Sequence, residues 1–200
     1  MANIGVERRR RWAQAQLERY PFLTAPQRRF LSVPLMASGW HLVVDGSGGS
    51  PGRAAAFAIG RTGVYALVFT DEVPDRGRLR RVRVHAEELF AAALADGSRL
   101  VPHTLEVVLL MPRAVPVQVH DPFLAADEAG FGALLFDGDR TVSRPRVREL
   151  ALSVAARSER YELIAEDDAP RPEPDGTGEL FGIGDLRDDE RRRALGRPFP

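Results

Sequence analysis

The chain has 200 residues, 44% of them hydrophobic, and equal numbers of basic and acidic side chains, so its formal net charge is zero. That length suggests one domain with extensions and enough apolar material for a core, and the charge balance gives no global field drawing the protein to nucleic acid or membrane. Cysteine is absent and all 28 basic side chains are arginine, which removes disulfides, thiolate metal sites, a cysteine nucleophile and every mechanism that needs a lysine.

Arg8 to Arg11 are followed by Trp12-Ala13-Gln14-Ala15-Gln16-Leu17-Glu18-Arg19, too polar for the apolar part of a secretory signal. No apolar run reaches the length of a membrane span. The expectation is a cytoplasmic protein with no membrane partner.

Residues 1–30 read as a helical arm. Glu7 to Tyr20 lacks Gly and Pro, Pro21 stops it, and Ile4, Val6, Trp12, Leu17 and Tyr20 form an imperfect apolar stripe. Thr24-Ala25-Pro26 starts a second helix, with Thr24 as cap and Pro26 in the first turn. Pro34 is expected to kink or end it, and Gly39 to cap it. Trp40 to Val44 reads as a strand ended by the breaker-rich loop Asp45 to Gly52. Ala56–Ile59 and Val64–Phe69, joined by Gly60-Arg61-Thr62-Gly63, read as a hairpin. Asp75 to Gly77 is a turn, and Leu79 to Val84 alternates enough to suggest an outer strand.

Ala86 to Ala95 is a helix, with Glu87 and Glu88 at its positive end. Leu105 to Met111 is nearly all apolar, as in a central strand buried on both faces. Val115 to Val119 is a further short strand, and the apolar segment Gly132 to Phe136 follows. Arg146 to Glu159 is an amphipathic helix with Val147, Leu150, Ala151, Val154 and Ala155 inward. The expected domains are the arm 1–30, an α/β core 31–164 and an acidic, Pro-rich flexible tail 165–200. The core is a mixed β-sheet of about five strands flanked by helices.

From Ala25 to Ile164 the chain resembles the nuclease-related (NERD) domain of the PD-(D/E)xK nuclease fold class. Gly39-Trp40-His41-Leu42-Val43-Val44 is similar to that family's Gly-Trp strand. Ala55-Ala56-Phe57-Ala58-Ile59-Gly60 and Gly63-Val64-Tyr65-Ala66-Leu67-Val68 are similar to its central hairpin. The resemblance implies a restriction-endonuclease-like fold. It also implies that the family's catalytic charges are missing. The helix Glu falls near Gln27 or Arg28, the strand Asp at Ala55, and the Glu-Thr-Lys triplet at Val68-Phe69-Thr70. Metal-assisted phosphodiester cleavage needs those carboxylates and that lysine, and a guanidinium does not replace an ammonium. The resemblance therefore implies a pseudo-nuclease with no catalytic residues, no metal and no cofactor.

An alternative is a displaced Mg²⁺ site from Asp45, Asp71 and Glu72, which follow strands ending on one side of the sheet; as solvated loop acids they would do nothing. The loop Gly46 to Gly52 lacks the Gly-Lys-Ser/Thr of a phosphate loop and reads as a flexible connection. His41, His85, His103 and His120 show no metal-ligand spacing. Arg8, Arg9, Arg10, Arg11, Arg28, Arg29, Arg80, Arg81 and Arg83 are candidate contacts to the phosphates of DNA or RNA, with Trp12 and Phe30 able to stack on bases. Solvated helices and a charge-protected edge strand would look the same. Leu180, Phe181 and Ile183 form an apolar island in the tail, a candidate motif for a protein partner. A structural subunit of a larger assembly is the third reading.

Overall fold

The computed structural model describes residues 4–48, 50, 52–94, 105–112, 118–120, 123–137 and 140–164. Helix α1 (Ile4–Glu18) presents Val6, Arg9, Ala13 and Leu17 on one side; Ala13, Leu17 and Arg9 are buried. That spacing is one helical face. The apolar stripe reads as imperfect because a buried arginine fills an inward position. Thr24 caps α2 (Ala25–Met36) in a capping box: Gln27 N–H donates to Thr24 Oγ1 at 3.4 Å, and Thr24 N–H donates to Gln27 Oε1 at 2.9 Å. Pro34 does not end α2, which runs on to Met36.

The strands are β1 (His41–Asp45), β2 (Ala56–Gly60), β3 (Gly63–Phe69), β4 (Leu105–Leu110), β5 (Gln118–His120), β6 (Phe123–Ala126) and β7 (Tyr161–Ile164). Between and after them lie α3 (Arg76–Ala93), α4 (Glu128–Asp137) and α5 (Arg144–Arg157). Among the described residues the strands form one mixed, seven-stranded sheet in the order β5-β6-β4-β3-β2-β1-β7. The hairpin is present, with Ala56 opposite Leu67 and Gly60 opposite Gly63. β3, β4 and β6 run parallel, and the other pairings are antiparallel. The fold is α/β, with the sheet between two helical layers.

Alternation along the strands builds both layers. Leu42, Val44, Ala56, Ala58, Tyr65, Leu67, Val108 and Leu110 face α1, α2 and α4. Val43, Phe57, Ile59, Val64, Ala66, Val107 and Leu109 face α3 and α5. Phe57 meets Phe90 of α3 and Tyr161 of β7 with ring centroids 5.3 and 5.2 Å away. Gly60 is required by close packing. A Cβ there would lie 2.4 Å from the Trp40 ring, which stacks on Tyr65 at 5.8 Å.

Several expectations are corrected. Leu79 to Val84 belongs to α3, not to an outer strand. Leu79, Val82, Ala86, Phe90 and Ala93 are buried at helical spacing, and the Asp75 carboxylate caps the helix by accepting from Arg78 N–H at 2.8 Å. Val84, which creates the apparent alternation, faces solvent. Gly132 to Phe136 lies in α4. The strands at Phe123–Ala126 and Tyr161–Ile164 add to those read from the sequence. Residue 30 lies inside α2, and Leu17, Tyr20, Leu23 and Phe30 belong to the same core cluster as the sheet residues Leu42 and Val44. Residues 165–200, with Leu180, Phe181 and Ile183, lie outside the described residues. Among the described residues no helix is long and apolar enough to cross a membrane.

Candidate anion-binding cleft

A cluster of charged and polar side chains forms where β1 runs out. Asp45, its last residue, is almost fully buried at 1% exposure. Its Oδ1 accepts from Ser47 N–H at 2.9 Å and Ser47 Oγ–H at 2.5 Å, which turns the chain into the glycine- and serine-rich loop. From the α5–β7 turn, Arg160 donates to Ser47 Oγ at 2.6 Å and Ser50 Oγ at 2.9 Å, and its carbonyl accepts from Gly46 N–H at 2.6 Å. Its guanidinium lies 3.9 Å from Asp45 Oδ1. The loop read as a flexible connection is thus tied at its described residues to a buried carboxylate and a guanidinium.

The loop delivers Gly52 and Arg53 to one wall of a cleft of about 500 Å³, and α3 supplies the other wall with Gly77, Arg80, Arg81, Val84, His85 and Glu88. Those α3 positions share one helical face. Gly52 has φ +82°, and a Cβ there would lie 3.4 Å from Arg81 Cβ, so the loop approaches the helix closely. Among the described residues no salt bridge engages Arg53, Arg80 or Arg81. Burial, then the charges of Arg53 and Arg160, hold the His85 imidazole below its ordinary value of 6.5, against the pull of Glu88 and Asp45. Among the described residues the His85 Nε2 and Asp45 Oδ2 atoms are buried without a hydrogen-bond partner. Burial, followed by Asp45, pushes the Tyr161 phenol up to about 12, and its hydroxyl donates to the Ala54 carbonyl at 3.2 Å.

The other candidate residues scatter. Arg9 is buried, donating to the carbonyls of Leu35 at 2.9 Å and Ala37 at 3.0 Å, so it caps the end of α2 and does not face a ligand. Arg10 and Arg11 pair with Glu7 at 3.8 and 3.4 Å, and Arg29 reaches Glu128 at 4.0 Å. Arg28 donates to the Tyr20 carbonyl at 3.4 Å. Arg8 is exposed. These residues lie in the α1–α2 layer, across the sheet from Arg80, Arg81 and Arg83, so the nine arginines do not form one surface. Arg83 pairs with Glu87 at 2.9 Å. Trp12 packs partly buried against the core, and Phe30 is buried beside Phe69, which removes Phe30 as a platform for bases.

The displaced metal site does not assemble. Asp45 is buried on the α3 side, whereas Asp71 lines a groove of about 300 Å³ beside α2 with Gln27, Phe30, Phe69 and Thr70. Glu72 is exposed, and its carbonyl accepts from Thr70 Oγ–H. Among the described residues no group of three His, Asp or Glu side chains could hold a metal ion. At the positions the resemblance assigns to catalysis, Ala55 donates to the Leu67 carbonyl at 2.8 Å and accepts from Asp45 N–H at 2.9 Å, so it lies between β1 and β3. Val68 is buried in the core on the α3 side, and Gln27 is spent on the capping box.

No protein-family model, curated protein or solved structure matches the chain.

Sequence reasoning missed Arg53, His85, Glu88 and Arg160. The signal for two of them, His85 and Glu88, was present. Read as a helix from Asp75, the run Gly77, Arg81, Val84, His85, Glu88 falls on one face, and Arg80 lies beside it.

Proposed function

We propose that the chain is a non-catalytic, nuclease-like module that binds nucleic acid by arginine–phosphate contact. The observation that carries this reading is the cleft between the β1–β2 loop and α3, where Arg53, Arg80 and Arg81 converge with no carboxylate pairing them among the described residues. Unpaired guanidinium groups on facing walls suit phosphate oxygens, to which they make short, charge-assisted bonds. What supports the resemblance to the NERD domain is the presence of β1 and of the β2–β3 hairpin, the segments on which it rests. Ala55, Val68 and Thr70 at the family's charged positions supply neither a metal ligand nor an ammonium, so phosphate would be bound and left intact.

The test is incubation of the full chain with labelled single- and double-stranded DNA and RNA at low salt, with Mg²⁺ or Mn²⁺ present. Retention without cleavage is expected. Absence of binding to all four would overturn the reading, as would cleavage abolished by Asp71→Ala.

A further inference from the structure

The cleft has features that a general backbone-binding surface does not need. Its charged lining is three guanidinium groups against the single carboxylate of Glu88, a net of two positive charges with His85 neutral. An internal phosphodiester carries one negative charge. A phosphate monoester carries roughly −1.5 to −2 near neutral pH and offers three terminal oxygens. The volume of about 500 Å³ suits a ligand of nucleotide size, since small-molecule sites span roughly 300–1,000 Å³. Gly52 and Gly77 leave parts of both walls without side chains, which lets a phosphate approach backbone and guanidinium groups together. His85 lines the α3 wall, and among the described residues its Nε2 atom is buried with no partner, so a hydrogen-bonding group brought to it would satisfy it.

We infer, on the basis of the nucleic-acid reading above, that the cleft takes the terminal phosphate monoester of a nucleic-acid strand, held by Arg53, Arg80, Arg81 and His85. The module would thus recognise phosphorylated strand ends and not the interior of a duplex. Arg160, Ser47 and Ser50 act at one remove, fixing the loop that carries Arg53. Asp45 anchors that loop and does not touch the ligand.

The experiment is fluorescence anisotropy of the full chain at fixed low salt with short single strands of one sequence. They carry a 5′-phosphate, a 3′-phosphate or hydroxyls at both ends. A hydroxyl-ended strand two nucleotides longer controls for the added charge. At least one phosphorylated end is expected to bind roughly ten-fold tighter than either hydroxyl-ended strand. Arg53→Gln and Arg80→Gln are each expected to erase that preference while thermal melting stays unchanged. Arg80 is exposed, so its variant keeps the test valid if the Arg53 variant unfolds. Equal affinity for phosphorylated and hydroxyl ends would overturn this inference and leave the broader reading standing. A phosphoserine peptide displacing the strand as well as a nucleoside monophosphate does would also overturn it. Failure to bind any strand would remove the broader reading too.

Discussion

Arg9 occupies an inward position of α1, where its guanidinium donates to the last carbonyls around the end of α2. Arg9→Ala removes charge-assisted bonds in a buried setting and leaves two carbonyls without that donor. A loss of roughly 2–4 kcal/mol is expected, measured by urea denaturation. Gly60→Ala forces a methyl into the Trp40 ring and should cost about 1–3 kcal/mol in the same measurement. Two tyrosines set an alkaline limit. Tyr20 donates to Glu162 at 3.1 Å, and burial followed by this bond pushes it up to about 12; Tyr161 is pushed as high. The native state therefore keeps protons that the unfolded chain loses near pH 10, so their contribution is full below pH 10 and disappears as pH rises towards 12. Tyr161→Phe should flatten that decline in a melting-temperature profile. His85 works at the other end. Its pKa is lowered, so the unfolded chain binds the proton more readily and stability falls as pH drops through 6.5 and below. His85→Gln should shrink the difference in melting temperature between neutral pH and about pH 5.5.

At the scale of elements, α3 shows what patterning can and cannot resolve. Its first half, Arg76 to Arg83, carries five arginines around Leu79 and Val82, and that short run fits a strand as well as a helix. The buried face becomes clear only when Ala86, Phe90 and Ala93 are counted with it. The hairpin, the α2 cap at Thr24, the buried strand β4 and the inner face of α5 were legible because each depends on local rules: turn residues, capping chemistry and apolar period. The edge strand β7 was not, since Tyr-Glu-Leu-Ile pairs with β1 and buries Tyr161 in the α3 layer and Ile164 in the α1–α2 layer, through contacts distant in sequence. The cleft was legible only in part. Arg80 and Arg81 stood out as charge, but Arg53 joins them through a loop held by Asp45 and Arg160. Asp45→Ala should therefore loosen the loop. It is expected to weaken oligonucleotide binding several-fold though it does not line the cleft, with increased amide hydrogen exchange at Ser47 and Gly48.

At the scale of the molecule, the sheet separates two arginine-bearing layers. Arg8, Arg10 and Arg11 lie with α1, while Arg53, Arg80 and Arg81 lie on the α3 side. Sequence clustering groups Arg8, Arg10 and Arg11 with Arg80 and Arg81 and leaves out Arg53; the topology does the reverse. The salt dependence of binding distinguishes the two layers, because each phosphate contact releases counterions and steepens the fall of affinity with salt. The decisive measurement is a salt titration of single-stranded oligonucleotide binding for the full chain, for Arg80→Gln/Arg81→Gln and for Arg8→Gln/Arg10→Gln/Arg11→Gln. The α3 variant should bind more weakly, with its logarithmic salt slope shallower by roughly 1.4, about 0.7 for each lost single-strand contact, while the α1 variant keeps the parent slope. An unchanged slope in the α3 variant, or an equal loss in the α1 variant, would contradict the assignment of binding to this cleft.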